Sequence, residues 1–174
     1  MAEFNQAIET TLMHEGGFSD DPADRGGATR YGISLRFLTA QGYDIDGDGD
    51  VDADDIRSLT LDGAIDIYRE KFWNINHYDQ IKSQAVATKV FDFTVNMGAK
   101  RAAILLQRAL QSCGFALKQD GKIGPATFSA INSASSETLL AAYRSEAAGY
   151  YRLITQKTPD FERFINGWLR RAYS

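Results

Sequence analysis

Cysteine occurs once in the 174-residue chain, at Cys113, so no internal disulfide can form and nothing requires an oxidising compartment. No apolar run approaches the ~20 residues that a membrane-spanning helix needs. The start, MAEFNQAIETTLMHEGG, lacks the basic and apolar stretches of a secretory leader. The expectation is therefore a soluble monomer made in the cytoplasm, without membrane insertion. Basic residues are scattered, apart from pairs such as Arg170 and Arg171 near the end, and form no stripe interleaved with aromatics, which makes nucleic acid a poor partner. Long repeats and low-complexity linkers are also missing.

What is present suits one compact, mainly α unit. Hydrophobic residues make up 44% of the chain, enough for a sizeable core. Helical periodicity runs over residues 3–15, 34–41, 60–73 with Thr60 as N-cap, 84–97, 100–112, 136–156 and 159–171. Strand-like runs are scarce, and the turn-rich stretch 18–34 has room for at most a small β-hairpin.

Charge is unevenly placed. The net charge is −4, yet residues 44–55, DIDGDGDVDADD, hold seven aspartates and no cation, so elsewhere 19 basic residues face 16 acidic ones. This loop matches the EF-hand template: Asp44, Asp46 and Asp48 at positions 1, 3 and 5, Gly49 at 6, Asp50 at 7, Asp52 at 9 and Asp55 at 12. Calcium takes six to eight oxygens, and such spacing wraps a short loop around one ion. Position 12 departs from the template, because aspartate is a shorter arm than the usual glutamate. We expect one structural or regulatory Ca2+, steadying the connection between the helices on either side. A calcium sensor is a weak alternative, because sensors pair two such loops and expose a Met-rich groove.

The stretch HEGGFSDDPADRGGATRYGIS, residues 14–34, places Glu15 at the end of a helix, in the sector between Phe4 and Ile8. Desolvation there and the negative end of the helix dipole both disfavour the carboxylate, which suits a general acid for glycoside cleavage. The competing reading is a solvated last-turn glutamate before an ordinary glycine cap. Asp20, Asp21, Asp24 and Thr29 follow, each able to hold a water or to form a turn.

Glu-Gly-Gly, Asp-Pro-x-Asp, Gly-Gly-x-Thr and Tyr-Gly-Ile, in that order and spacing, resemble the signature of glycoside hydrolase family 108, the N-acetylmuramidases of phage endolysins and bacterial secretion-associated lysozymes. VFDFTVNMGAKRAAILLQRAL, DGKIGPATFSAIN and GWLRR are similar to the peptidoglycan-binding region that accompanies this family. The resemblance implies a lysozyme-like helical fold with the acidic loop inserted. It implies a catalytic region at residues 1–90 and a peptidoglycan-binding region at 91–174, packed into the same unit. It also implies cleavage of the β-1,4 bond between N-acetylmuramic acid and N-acetylglucosamine in bacterial peptidoglycan. Glu15 would be the catalytic acid, with Asp24 and Thr29 in the water-holding places where Asp20 and Asp21 compete. Without an export signal, the enzyme would reach the periplasmic wall only after release from the cytoplasm. A non-catalytic wall-binding module and a lytic transglycosylase are the alternatives.

Asp92 and Asn96, spaced i, i+4, can share one helix face and hold sugar N-acetyl or hydroxyl groups, or else buttress the turn at Gly98. Tyr31, Trp73 and Tyr78 can stack on sugar rings or belong to the core. The Asp120-Gly121 and Gly124-Pro125 turn reads as mainly structural.

Overall fold

The computed structural model describes residues 1–14 and 27–174. Helix α1 (Phe4–His14) buries Phe4, Ala7, Ile8 and Thr11, which recur at helical spacing. Strands β1 (Thr29–Arg30) and β2 (Ile33–Ser34) pair antiparallel, Thr29 opposite Ser34 and Arg30 opposite Ile33. Tyr31 and Gly32 form the two-residue turn, both at positive φ (51° and 77°). A turn of that hand matches the twist of the flanking strands, and glycine suits it where tyrosine does not. The Tyr68 hydroxyl donates to the Tyr31 carbonyl at 2.9 Å and helps hold the turn. This hairpin is the only sheet among the described residues, and the class is mainly α.

Ser34 caps α2 (Leu35–Gln41), which ends at Gly42 in the left-handed region. A short helix that periodicity did not suggest, α3 (Ala53–Ser58), begins inside the acidic loop. Asp52 is its N-cap, and Asp55 returns a carboxylate oxygen to the Asp52 amide at 2.7 Å, completing a capping box. Thr60 caps α4 (Leu61–Tyr68) as expected.

The helix foreseen over 60–73 does not stay α-helical to its end. Arg69–Asn74 continues as a wider π-helical turn. Within it Trp73 is buried against Phe4, Tyr78 and Phe91, with ring centroids 5.8, 5.9 and 5.6 Å apart and steeply inclined planes. A 3-10 turn, Tyr78–Gln80, leads to α5 (Gln84–Met97).

Helix α5 is the axis of the molecule. Val86, Ala87, Val90, Phe91, Phe93 and Thr94 are buried, and α1, α6 (Ala99–Ser112) and α8 (Ser136–Lys157) pack around it. A helix apolar on nearly all sides has to be enclosed in this way. The Ala2 amide donates to the Ile81 carbonyl and the Glu3 amide to Gln84 Oε1, so α1 and α5 start together and run side by side in the same direction. α7 (Pro125–Ser133) follows the Gly124-Pro125 turn. The pattern read as one helix over 159–171 divides into a 3-10 turn, Pro159–Phe164, and α9 (Ile165–Tyr173). One buried cluster runs from Ala2 to Ala172, so the regions before and after residue 90 share a core across α5. No helix among the described residues is long and apolar enough to cross a membrane.

Candidate functional site

Glu15, Asp20, Asp21 and Asp24 lie outside the described residues. The structure describes the elements on either side of them, the end of α1 at His14 and the hairpin from Gly27 onward. Thr29 is half-buried on β1, and its hydroxyl donates to the Gly27 carbonyl at 3.3 Å. Tyr31 is half-buried at the hairpin tip, with the Arg30 guanidinium over its ring at 5.2 Å. Arg30 Nη1 also donates to the Arg57 carbonyl at the end of α3. The hairpin that carries Thr29 and Tyr31 is thus fastened both to α3, through Arg30, and to α4, through Tyr68.

The acidic loop gathers its carboxylates in two groups of three. Asp44, Asp46 and Asp48 form one, Asp50, Asp52 and Asp55 the other, each with oxygens within 4.8 Å of one another. The sequence template expects a single cage for all six. Asp55 accounts for much of the difference, because it is buried and spans loop and helix: Oδ1 accepts from the Ile45 amide at 2.5 Å and the Asp46 amide at 3.4 Å, and Oδ2 from the Asp52 amide. These amides, that of Asp52 foremost, hold its carboxyl below the usual range. Asp50 is pushed up, mainly by the charges of Asp48 and Asp52. Asp44 accepts from the Gly47 amide at 2.6 Å and the Gly49 amide at 3.0 Å, which turns the loop back on itself. A set made only of carboxylates, with spare lone pairs on each oxygen, fits a hard oxygen-seeking cation.

Asp92 and Asn96 do not share an environment. Asp92 is wholly buried: its Oδ1 accepts from Arg171 Nε at 3.0 Å and lies 2.8 Å from Arg171 Nη2, while Lys89 Nζ stands 3.7 Å from its Oδ2. It faces α9 instead of an open groove. Burial pushes the Lys89 ammonium down from its ordinary value, and Asp92 opposes that shift. Asn96 is half-buried, and its Oδ1 accepts from the Tyr151 hydroxyl at 2.6 Å. It lines a groove of about 630 Å³ at the end of α5. Trp73 and Tyr78 belong to the core, not to any sugar platform. Tyr78 reaches the Thr94 hydroxyl at 2.6 Å, and its burial pushes the phenol well above the ordinary tyrosine range.

Arg171 and Gln107 are the structural residues that sequence reading passed over. Arg171 was visible only as half of a basic pair in GWLRR. Gln107 is buried on α6 and holds the Asp120-Gly121 turn, donating to Asp120 Oδ1 at 2.7 Å and accepting from the Gly121 amide at 3.0 Å. That turn is structural, as its composition suggested.

Comparison with known proteins finds two family models along the chain. Residues 8–98 match the family model described as "Glycosyl hydrolase 108", and residues 101–173 match the one described as "Predicted Peptidoglycan domain". The solved structure of Brucella abortus SagA aligns over 98% of this chain and 89% of that one, at 29% identity and a TM-score of 0.78. No curated protein matches the chain.

Proposed function

Because the chain belongs to the glycosyl hydrolase 108 family and carries a peptidoglycan-domain match beside it, it is a peptidoglycan hydrolase, and we propose that it cleaves the β-1,4 bond between N-acetylmuramic acid and N-acetylglucosamine. The observation that carries this reading is the family match over 8–98, which spans the whole Glu-Gly-Gly to Tyr-Gly-Ile signature. Glu15 directly follows α1, whose apolar face is buried, and it serves as the acid. In the proposed step Glu15 gives its proton to the glycosidic oxygen as the bond to the anomeric carbon breaks. A water adds to that carbon and passes its own proton to the carboxylate of Asp24, with Thr29 helping to orient it. Mass spectrometry of digested wall tests the bond. The expected products end in reducing N-acetylmuramic acid; reducing N-acetylglucosamine ends or anhydro-muramic ends would contradict it. The proposed site of action is the periplasmic wall, reached by a phage-type release from the cytoplasm.

The acidic loop is proposed to hold one Ca2+ through Asp44, Asp46, Asp48, Asp50, Asp52 and Asp55. Ion binding there draws the two aspartate groups together and firms the start of α3, the helix to whose far end Arg30 ties the catalytic hairpin. At a hundredfold excess over its dissociation constant, a ligand specific to the folded state adds about 2.7 kcal/mol. For a chain of this size that corresponds to a rise in melting temperature of about 5–10 °C. Calorimetry in calcium against chelator measures it, and equal midpoints would remove the ion from the account.

A further inference from the structure

The groove at the end of α5 is built from the segment of GWLRR and the turn before it. Asn96 lies on one side, and Arg163, Phe164, Asn166, Trp168 and Arg170 line the rest. Its wall is a stacked ladder. Tyr151 stacks on Trp168 with centroids 5.3 Å apart and planes 24° apart, Trp168 on Phe164 at 5.6 Å and 28°, and the Arg163 guanidinium lies 4.6 Å from the Phe164 ring centre. The Tyr151 hydroxyl, bonded to Asn96, ties this wall to α5. Such stacking shapes the groove before any ligand arrives, which lowers the ordering cost of binding.

The charged side chains that line it have one sign. Arg163, Arg170 and Arg171 line it, whereas Asp160 and Glu162 of the same turn do not. Arg171 is committed to Asp92, but Arg163 and Arg170 are exposed and form no ion pair among the described residues. The rings of the ladder cover one another's faces, so the wall offers edges, amides and guanidiniums in place of a flat platform for a pyranose. Guanidiniums select carboxylates, and the amides of Asn96 and Asn166 can pair with peptide groups.

We propose that this groove seats the carboxylate-bearing stem peptide of peptidoglycan, so that the chain reads the peptide substitution of the strand it cleaves. The proposal rests on the peptidoglycan reading above. Helices α1 and α5 run in the same direction, so the groove lies at the end of the bundle where α1 also finishes, after which Glu15 follows in the chain.

Binding of the full chain carrying Glu15→Gln to surface-immobilised glycan strands tests it, with strands that keep their stem peptides and with strands stripped of them by an amidase. Peptide-bearing strands should bind about tenfold more tightly, the size of effect that two charge-assisted contacts supply. Arg163→Glu/Arg170→Glu should erase that preference and leave binding to stripped glycan unchanged, while Arg163→Lys/Arg170→Lys keeps part of it. Circular dichroism of each variant verifies the fold. Equal binding to both kinds of strand, or a preference that survives charge reversal, overturns the proposal. Lysis by the unsubstituted chain is scored separately: binding without lysis would count against the muramidase reading and not against the groove.

Discussion

Glu15→Gln should lower the rate of peptidoglycan lysis by about 10²–10⁴-fold, the usual contribution of a positioned general acid. Glutamine preserves the shape of the side chain but has no proton to give at any relevant pH. Binding should persist, because the substitution removes neither the C-terminal groove nor the fold. The pH profile separates a lost acid from a merely disturbed site. In the unsubstituted enzyme the rate should fall as pH rises and the acid loses its proton. The residual rate of the variant should lack that limb. A variant that lyses at the original rate would remove Glu15 from the mechanism, and a chain that never lyses would restore the binding-module reading.

Asp92→Ala should destabilise the fold by about 3–5 kcal/mol, a large share of the roughly 5–15 kcal/mol that hold a typical domain together. The loss has a specific origin. Asp92 neutralises Arg171 in the interior and lies beside Lys89, and its removal leaves two buried cations facing each other across α5 and α9. Lys89 Nζ also donates to the Arg171 carbonyl at 3.0 Å, so the cations cannot easily move apart. Urea unfolding measures the loss, and a shift below ~1 kcal/mol would show that the pair is not the tie proposed. Replacing Lys89, Asp92 and Arg171 together by apolar residues of similar volume should recover most of the stability, because no charge is then stranded.

The pH dependence of that loss has a definite sign. The folded-state pKa of Lys89 lies below its unfolded value, so between the two the unfolded chain binds more protons and stability attributable to this group rises with pH. Removing Asp92, whose charge pulls that pKa up, widens the window downward. The gap between Asp92→Ala and the parent should therefore narrow from pH 7 toward pH 10. The buried tyrosines act in the opposite direction, because raised phenol pKa values cost stability as pH climbs past 10; Asp92 itself helps to raise Tyr143 and Tyr151, so the comparison is confined to pH below 10.

Much of the fold was legible locally. Thr60 caps α4 and Ser34 caps α2 because hydroxyl acceptors satisfy amides within three residues, a property of neighbouring sequence. The period of α1, α5 and α6 predicts their extents nearly to the residue. Periodicity was silent on the π-helical turn at Arg69–Asn74, since a single residue added to one turn barely changes an apolar pattern. It was silent too on the break at Ile165, where 3-10 and α spacing look alike over one turn.

The site divides in the same way. By itself the sequence determined the family, the order of the Glu15 to Tyr31 signature and the register of aspartates from Asp44 to Asp55, because these are spacings along a covalent chain. Tertiary structure alone decided what Asp92 and Asn96 face, since i, i+4 spacing defines a shared helix face but not what stands opposite. Arg171, 79 residues away, turns Asp92 into an interior ion pair, while Tyr151 holds Asn96 at the rim of a groove. Likewise Asp55 is at once twelfth in a loop and third in a helix cap, and only the path of the folded backbone could bring the Ile45 amide to the same oxygen pair. Long-range burial chooses among the partners that local spacing leaves open, because charges and amides removed from water must find one another wherever the chain has brought them.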